Sequence, residues 1–154
     1  MSEKIKDGEY RALAELRYRI RKFLQESDTT AHQAGLEPQQ YLLLLAIRGL
    51  SEGQEATIRT LADRLFLRHH SAVGLIDRME ARGYVKRNRG KEDRRQVIVS
   101  LQPRGQRLLE RVVEQRIIEL RSHGRALVAA IGALLVWRKR GAGSGRRRMR
   151  TYTS

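Results

Sequence analysis

The chain reads as mainly α-helical with a small β-wing, a winged helix-turn-helix flanked by N- and C-terminal helices. Three observations predict this. Residues 57–101 pattern as helix, short turn, helix and hairpin. The tip of that hairpin is densely basic. Apolar stripes at helical spacing continue beyond the motif toward both ends of the chain. A helix-turn-helix offers its second helix to a DNA major groove, and a basic hairpin beside it can reach the backbone or the neighbouring minor groove.

Residues 9–34 predict one long helix, because Leu13, Leu16, Ile20, Phe23 and Leu24 recur at spacings of three and four among basic residues. Gly35 is its stop and Pro38 a first-turn residue of the next helix. That second helix, with Tyr41-Leu42-Leu43-Leu44-Leu45-Ala46-Ile47, is apolar nearly all round and is expected to be the most buried element. Gly49–Glu55 reads as a loop. Thr57 is a candidate N-cap for a short helix through Leu65, with Leu61, Ala62 and Leu65 inward. A turn at Phe66-Leu67 leads to a helix from His69 to Arg82, with Val73, Ile76 and Met79 on its inner face and Gly83 ending it. Tyr84–Arg89 and Gln96–Leu101 read as strands joined by a charged turn. Pro103 opens a long helix with a stripe at Leu109, Val112, Val113, Arg116, Ile117 and Leu120. Gly124 is expected to break it, with a last helix over 125–139 and a glycine-rich, then basic, flexible tail over 140–154.

Composition bounds the partners. Of 154 residues, 32 are Lys or Arg and 17 Asp or Glu, a formal charge of +15, which points to a polyanion. Arg138, Lys139, Arg140, Arg146, Arg147, Arg148 and Arg150 hold seven of those charges, so the rest of the chain is basic without them. The absence of cysteine excludes disulfides, zinc-thiolate sites and thiol redox sensing. The first ten residues carry no secretory apolar stretch. The longest late apolar run, Ala126–Trp137, would span about 18 Å as a helix, short of a bilayer core of about 30 Å. A cytoplasmic, nucleoid-associated location without membrane contact is the expectation. No nucleophile–histidine–carboxylate pattern, phosphate-binding glycine loop or metal-ligand spacing is present, so no enzyme activity, cofactor or metal is expected.

The candidate binding residues fall in two places. Arg68-His69-His70-Ser71 begin the second helix of the motif, whose first turn faces base edges and phosphates. Arg68 suits phosphate or guanine, and the histidines can donate or accept. Ser71 suits a contact or a helix cap. His69 and His70 do not make a metal site, since adjacent helical positions diverge by about 100°. The second place is the hairpin. Residues 82–95 hold seven basic side chains, among them Arg89, Lys91, Arg94 and Arg95, against Glu92 and Asp93. An acid amid that density would repel phosphate unless paired. Asp93 therefore reads as a brace for Arg95 or for the wing backbone, and a held arginine suits the narrow minor groove.

The stretch Asp93-Arg94-Arg95-Gln96-Val97-Ile98-Val99-Ser100-Leu101 resembles the wing signature D-x-R-x-x-x-V-x-L of the multiple antibiotic resistance regulator (MarR) family. Leu61-Ala62-Asp63-Arg64-Leu65 and Leu75–Val85 are similar to that family's two motif helices and the start of its wing. The resemblance covers about residues 9–139. It implies a dimeric bacterial or archaeal transcriptional regulator on double-stranded DNA. Arg95 would be the minor-groove arginine and Asp93 its brace, with Arg68, His69, His70 and Ser71 at the start of the recognition helix. Many members are repressors released by a small aromatic or phenolic effector bound between the DNA-binding and dimerisation regions. Three departures stand out. Phe66 occupies a turn position that is commonly glycine. Gln102 replaces a usual threonine. Nothing marks an effector site: Tyr41, His32 and Tyr18 could line one, or serve packing and surface.

The resulting organisation is a single domain over 1–154, with dimerisation helices at 9–34 and 103–139 and the DNA-binding region at 38–102. Pairing with a second copy would cover the terminal apolar stripes and match a palindromic site; folding back on the chain's own core is the alternative. The competing function is nonspecific or architectural nucleic-acid binding driven by the basic surface and tail.

Overall fold

The computed structural model describes residues 4–141, with side chains described through residue 135. Its elements are α1 (Asp7–Gln33), α2 (Pro38–Arg48), α3 (Ile58–Arg64), α4 (His69–Ala81), β1 (Val85–Arg89), β2 (Val97–Leu101) and α5 (Pro103–Gly141). The fold is thus mostly helical with a two-stranded antiparallel wing. Residues 26–118 form one compact unit; the segments before and after them form a second. Among the described residues no helix is long and apolar enough to cross a membrane.

Local chemistry sets most of the boundaries. α2 starts at Pro38, which needs no N–H partner in the first turn. A capping box joins Glu37 and Gln40, with the Glu37 amide donating to Gln40 Oε1 at 3.0 Å. That role explains why Gln40 is buried although polar. Thr57 caps α3, its Oγ1 accepting from the Thr60 amide at 3.0 Å.

Three helices end by one motif. At α1 the Leu36 amide donates to the Ala31 carbonyl and Gly35 lies at φ 82°. At α4 the Tyr84 amide donates to the Met79 carbonyl and Gly83 lies at φ 70°. At α3 the Leu67 amide donates to the Ala62 carbonyl, and the left-handed residue is Phe66 at φ 53°. Glycine takes this conformation without strain, whereas a bulky L-residue there costs about 1–2 kcal/mol.

The core of the 26–118 unit is built from Leu36, Leu43, Leu44, Leu61, Ile76, Met79, Val85, Val99 and Val112, all essentially inaccessible. Each contributes on the order of 1.5–3 kcal/mol of burial. α2, α3 and α4 supply Leu43, Leu44, Leu61, Ile76 and Met79 from their inner faces, and the wing adds Val85 and Val99. The wing is fastened to the motif at its root: the Val99 amide donates to the Ala56 carbonyl at 2.9 Å, and Thr57 bridges Ile98.

Several expectations are corrected. Gly124 does not break the last helix; α5 runs unbroken for 39 residues. A single glycine costs a helix interior only about 1 kcal/mol, and no proline or capping residue reinforces it. α2 is not buried all round, since Leu42 and Leu45 are exposed at 45% and 36%. A helix packed on one core can turn only part of its circumference inward. On α4 the inner face is Ala72, Leu75, Ile76 and Met79, with Val73 only half-buried at its edge. Residues 140 and 141 belong to α5, and the rest of the expected basic tail, 142–154, lies outside the described residues.

Candidate nucleic-acid interface

The start of α4 differs from that of α3. Its N-cap is Arg68, with extended backbone at φ −68° and ψ 150°, and no side chain caps the helix. A guanidinium carries only donors, so it cannot satisfy the amides of the first turn. Those amides, and the positive end of the helix dipole, are left for an acceptor from outside. Arg68, His69 and His70 are exposed around this end, and Ser71 is half-buried. Ser71 lies at the third helical position, so its reading as the cap is corrected.

In the wing, β1 and β2 pair from Val85↔Leu101 to Arg89↔Val97. The turn beyond them is closed by backbone bonds, Gly90 N–H to the Gln96 carbonyl at 2.9 Å and Gln96 N–H to the Asp93 carbonyl at 3.0 Å. Asp93 Oδ1 accepts the Arg95 backbone amide at 2.9 Å. Of the two roles considered for Asp93, the backbone one is therefore present. Among the described residues no ion pair joins Asp93 to the Arg95 guanidinium, so the carboxylate shapes the chain that carries Arg95. Arg89, Lys91, Arg94 and Arg95 are all exposed at this end of the hairpin.

One basic residue of the hairpin faces the other way. Arg87 donates from Nη1 to Glu80 Oε2 and from Nη2 to Asp77 Oδ1, each at 2.6 Å. Its backbone amide donates to Glu80 Oε1 at 2.9 Å. Glu80 is held below its ordinary value, first by that backbone amide and then by the Arg87 side chain. Burial works against the Arg87 charge, but the bonds to Glu80 and Asp77 outweigh it and raise its pKa. A charge count makes Arg87 one more cation for DNA; in the fold it ties β1 to the far end of α4. Strand alternation was the available signal. Arg87 shares the face of buried Val85, and Asp77 and Glu80 sit three apart on one side of α4.

The candidate effector residues have different surroundings. Tyr18 is exposed, and exposed His32 Nε2 lies 3.2 Å from Glu37 Oε2. Tyr41 is buried, which raises its phenol pKa against the opposing pull of Arg116. Arg116 is itself 6% exposed, with Nη1 3.9 Å from Glu26 Oε2.

Comparisons place this geometry among known proteins. Residues 34–96, which include α2, α3, α4 and β1, match a family model described as MarR family. The organic hydroperoxide resistance transcriptional regulator of Bacillus subtilis is 35% identical over 75 residues, covering 49% of each chain. Overall the chain spans about half the length of the curated relatives it matches. Among solved structures, AbsC, a MarR family transcriptional regulator from Streptomyces coelicolor, superposes with a TM-score of 0.67 at 21% identity, covering 93% of this chain and all of its own. A mutant of S. aureus MepR bound to an oligodeoxyribonucleotide has a TM-score of 0.52 at 18% identity, covering 78% of this chain and 92% of its own. At these identities the two structures speak for the fold.

Proposed function

We propose that the chain is a MarR-family transcriptional regulator that binds double-stranded DNA sequence-specifically, a reading supported by the family match over residues 34–96 and by the similarity to MarR-family regulators. It acts as a homodimer on a pseudo-palindromic operator. The observation that carries this reading is the pairing of an uncapped, cation-flanked α4 N-terminus with an exposed basic wing tip. α4 enters the major groove with Arg68, His69, His70 and Ser71 at its leading turn. Arg89, Lys91, Arg94 and Arg95 meet the backbone and the adjacent minor groove, and Asp93 fixes the turn from which Arg95 projects. The helices at 9–34 and 103–139 join two copies. The protein represses, and a small aromatic or phenolic molecule releases it. Catalysis has no part in this reading.

Fluorescence anisotropy tests it, on the chain's own upstream intergenic DNA and on scrambled DNA at about 150 mM salt, where nonspecific binding sits near 10⁻⁴–10⁻⁶ M. A preference of about a thousandfold is the expected result; equal binding to both, and to a pool selected from random DNA, would overturn it in favour of nonspecific association. Arg95→Ala should weaken operator binding by about 1–3 kcal/mol and lower the salt slope by about one unit. Asp93→Ala should weaken it as well, although it removes a negative charge. Tighter binding by that variant would remove the backbone-shaping role.

A further inference from the structure

Phe66 is the one described non-glycine residue at positive φ, and its side chain is 97% exposed. Exposure alone is ordinary for an isolated apolar residue. A left-handed aromatic is not, because the chain gives the same position to glycine at the ends of α1 and α4, with the same pair of backbone bonds closing each turn. At Phe66 the strain brings no burial in return. The residue that would fold most easily there is glycine or asparagine. A strained and exposed side chain of this kind points to work done outside the chain.

Its position says what that work touches. Phe66 stands two residues before Arg68, the N-cap of α4, so its Cα lies within about 7.6 Å of the Arg68 Cα. Arg64 and Arg68 flank it in sequence, both exposed, and exposed Asp63 is the one acid within residues 60–70. Arg64 Nη2 donates to Gln54 Oε1 at 3.0 Å. A surface of that kind meets a polyanion. The apolar group that a polyanion of base pairs presents in its major groove is the C5 methyl of thymine.

We propose that Phe66 is a specificity-determining residue whose ring packs on a thymine methyl at the edge of the major groove. This rests on the DNA-binding reading above. The preference belongs to the turn that leads into α4, not to α4 itself. Being apolar, it adds discrimination without adding to the counterion release that the arginines produce.

The test uses the full chain and an operator duplex selected from random DNA. Phe66→Asn and Phe66→Gly both keep the left-handed turn and remove the ring. Each is expected to melt at or above the temperature of the parent chain. Each should bind about five- to tenfold more weakly, with an unchanged salt slope. Replacing operator thymines one at a time by uracil removes single methyls. One such replacement should weaken the parent by a similar factor and leave both variants unaffected. Variants that bind as tightly as the parent would overturn the proposal, as would weakened variants that no uracil replacement distinguishes. Unchanged DNA affinity with lost regulation in cells would place the ring against a protein and overturn it too. Arg95→Ala, run in parallel, separates the two readings: weakening by Arg95→Ala alone removes the Phe66 contact and keeps DNA binding, whereas loss with neither removes both.

Discussion

The two compact units of this chain use their apolar residues in opposite ways. In the 26–118 unit leucines, valines, Ile76 and Met79 disappear into one cluster. In the other unit Ala130 is the one described residue that is buried, while Tyr10, Leu13, Tyr18, Leu24, Val128 and Leu135 are all more than half exposed. Both have helical periodicity. What differs is that the first unit brings several elements onto shared faces, whereas the second consists of the far parts of two helices. Amphipathic helices with few neighbours gain stability mostly from packing their apolar face, so the exposed apolar residues of the second unit are where the proposed association is tested.

Truncations in the core of the 26–118 unit should have the largest effect. Leu44→Ala or Ile76→Ala should cost about 2–5 kcal/mol in urea unfolding. Leu13→Ala, measured on dilute protein, should change stability by no more than about 0.5 kcal/mol. Equal losses at Leu44 and Leu13 would mean that the second unit has a core of its own. The next effect concerns association. Glutamate at both Ile131 and Leu135 should weaken self-association by tenfold or more in sedimentation, and leave the dilute urea midpoint nearly unchanged. A double variant that still associates fully would move the contact to another face. The smallest effect lies in the wing clamp. Glu80 is held below its ordinary 4.5, so its contribution is complete above that pH and is lost as the pH falls through its lower folded value. Glu80→Gln should therefore melt lower than the parent at neutral pH, with the difference shrinking once the pH drops below 4.5. A gap that persists in strong acid would assign the loss to packing.

Much of this was legible in the sequence because the signals are local. Thr57 as a cap, Gly35 and Gly83 as stops, Pro38 as a first-turn residue and the alternation of the hairpin each depend on a few neighbouring residues. The exposed binding candidates, Arg68, His69, His70, Arg89, Lys91, Arg94 and Arg95, follow from the same patterns. Errors arise where tertiary context decides. Gly124 is a weak breaker inside a strong helical pattern, and α5 carries through it. Leu42 and Leu45 look like core by composition, yet α2 has more apolar circumference than one core can cover. Arg87 counts as a DNA-facing cation in a charge sum, which ignores the face of a strand that a residue takes. Phe66 is recognisable as a departure, but its backbone angle and exposure are not.

The hydrogen bonds of the wing also divide it in time. Its root is held by the Val99–Ala56 and Gln102–Tyr84 backbone bonds and by the Arg87 clamp. Its tip, Gly90–Gln96, is held by three bonds, all made within the turn itself. Amide exchange should therefore be slow at Val99 and fast across Lys91–Arg94, because few bonds must open there. A hairpin of this kind can mould its tip to a groove while its base keeps register. The ordering entropy of that fit falls on about half a dozen residues, at roughly 1–2 kcal/mol for each backbone fixed, and leaves the rest of the fold undisturbed.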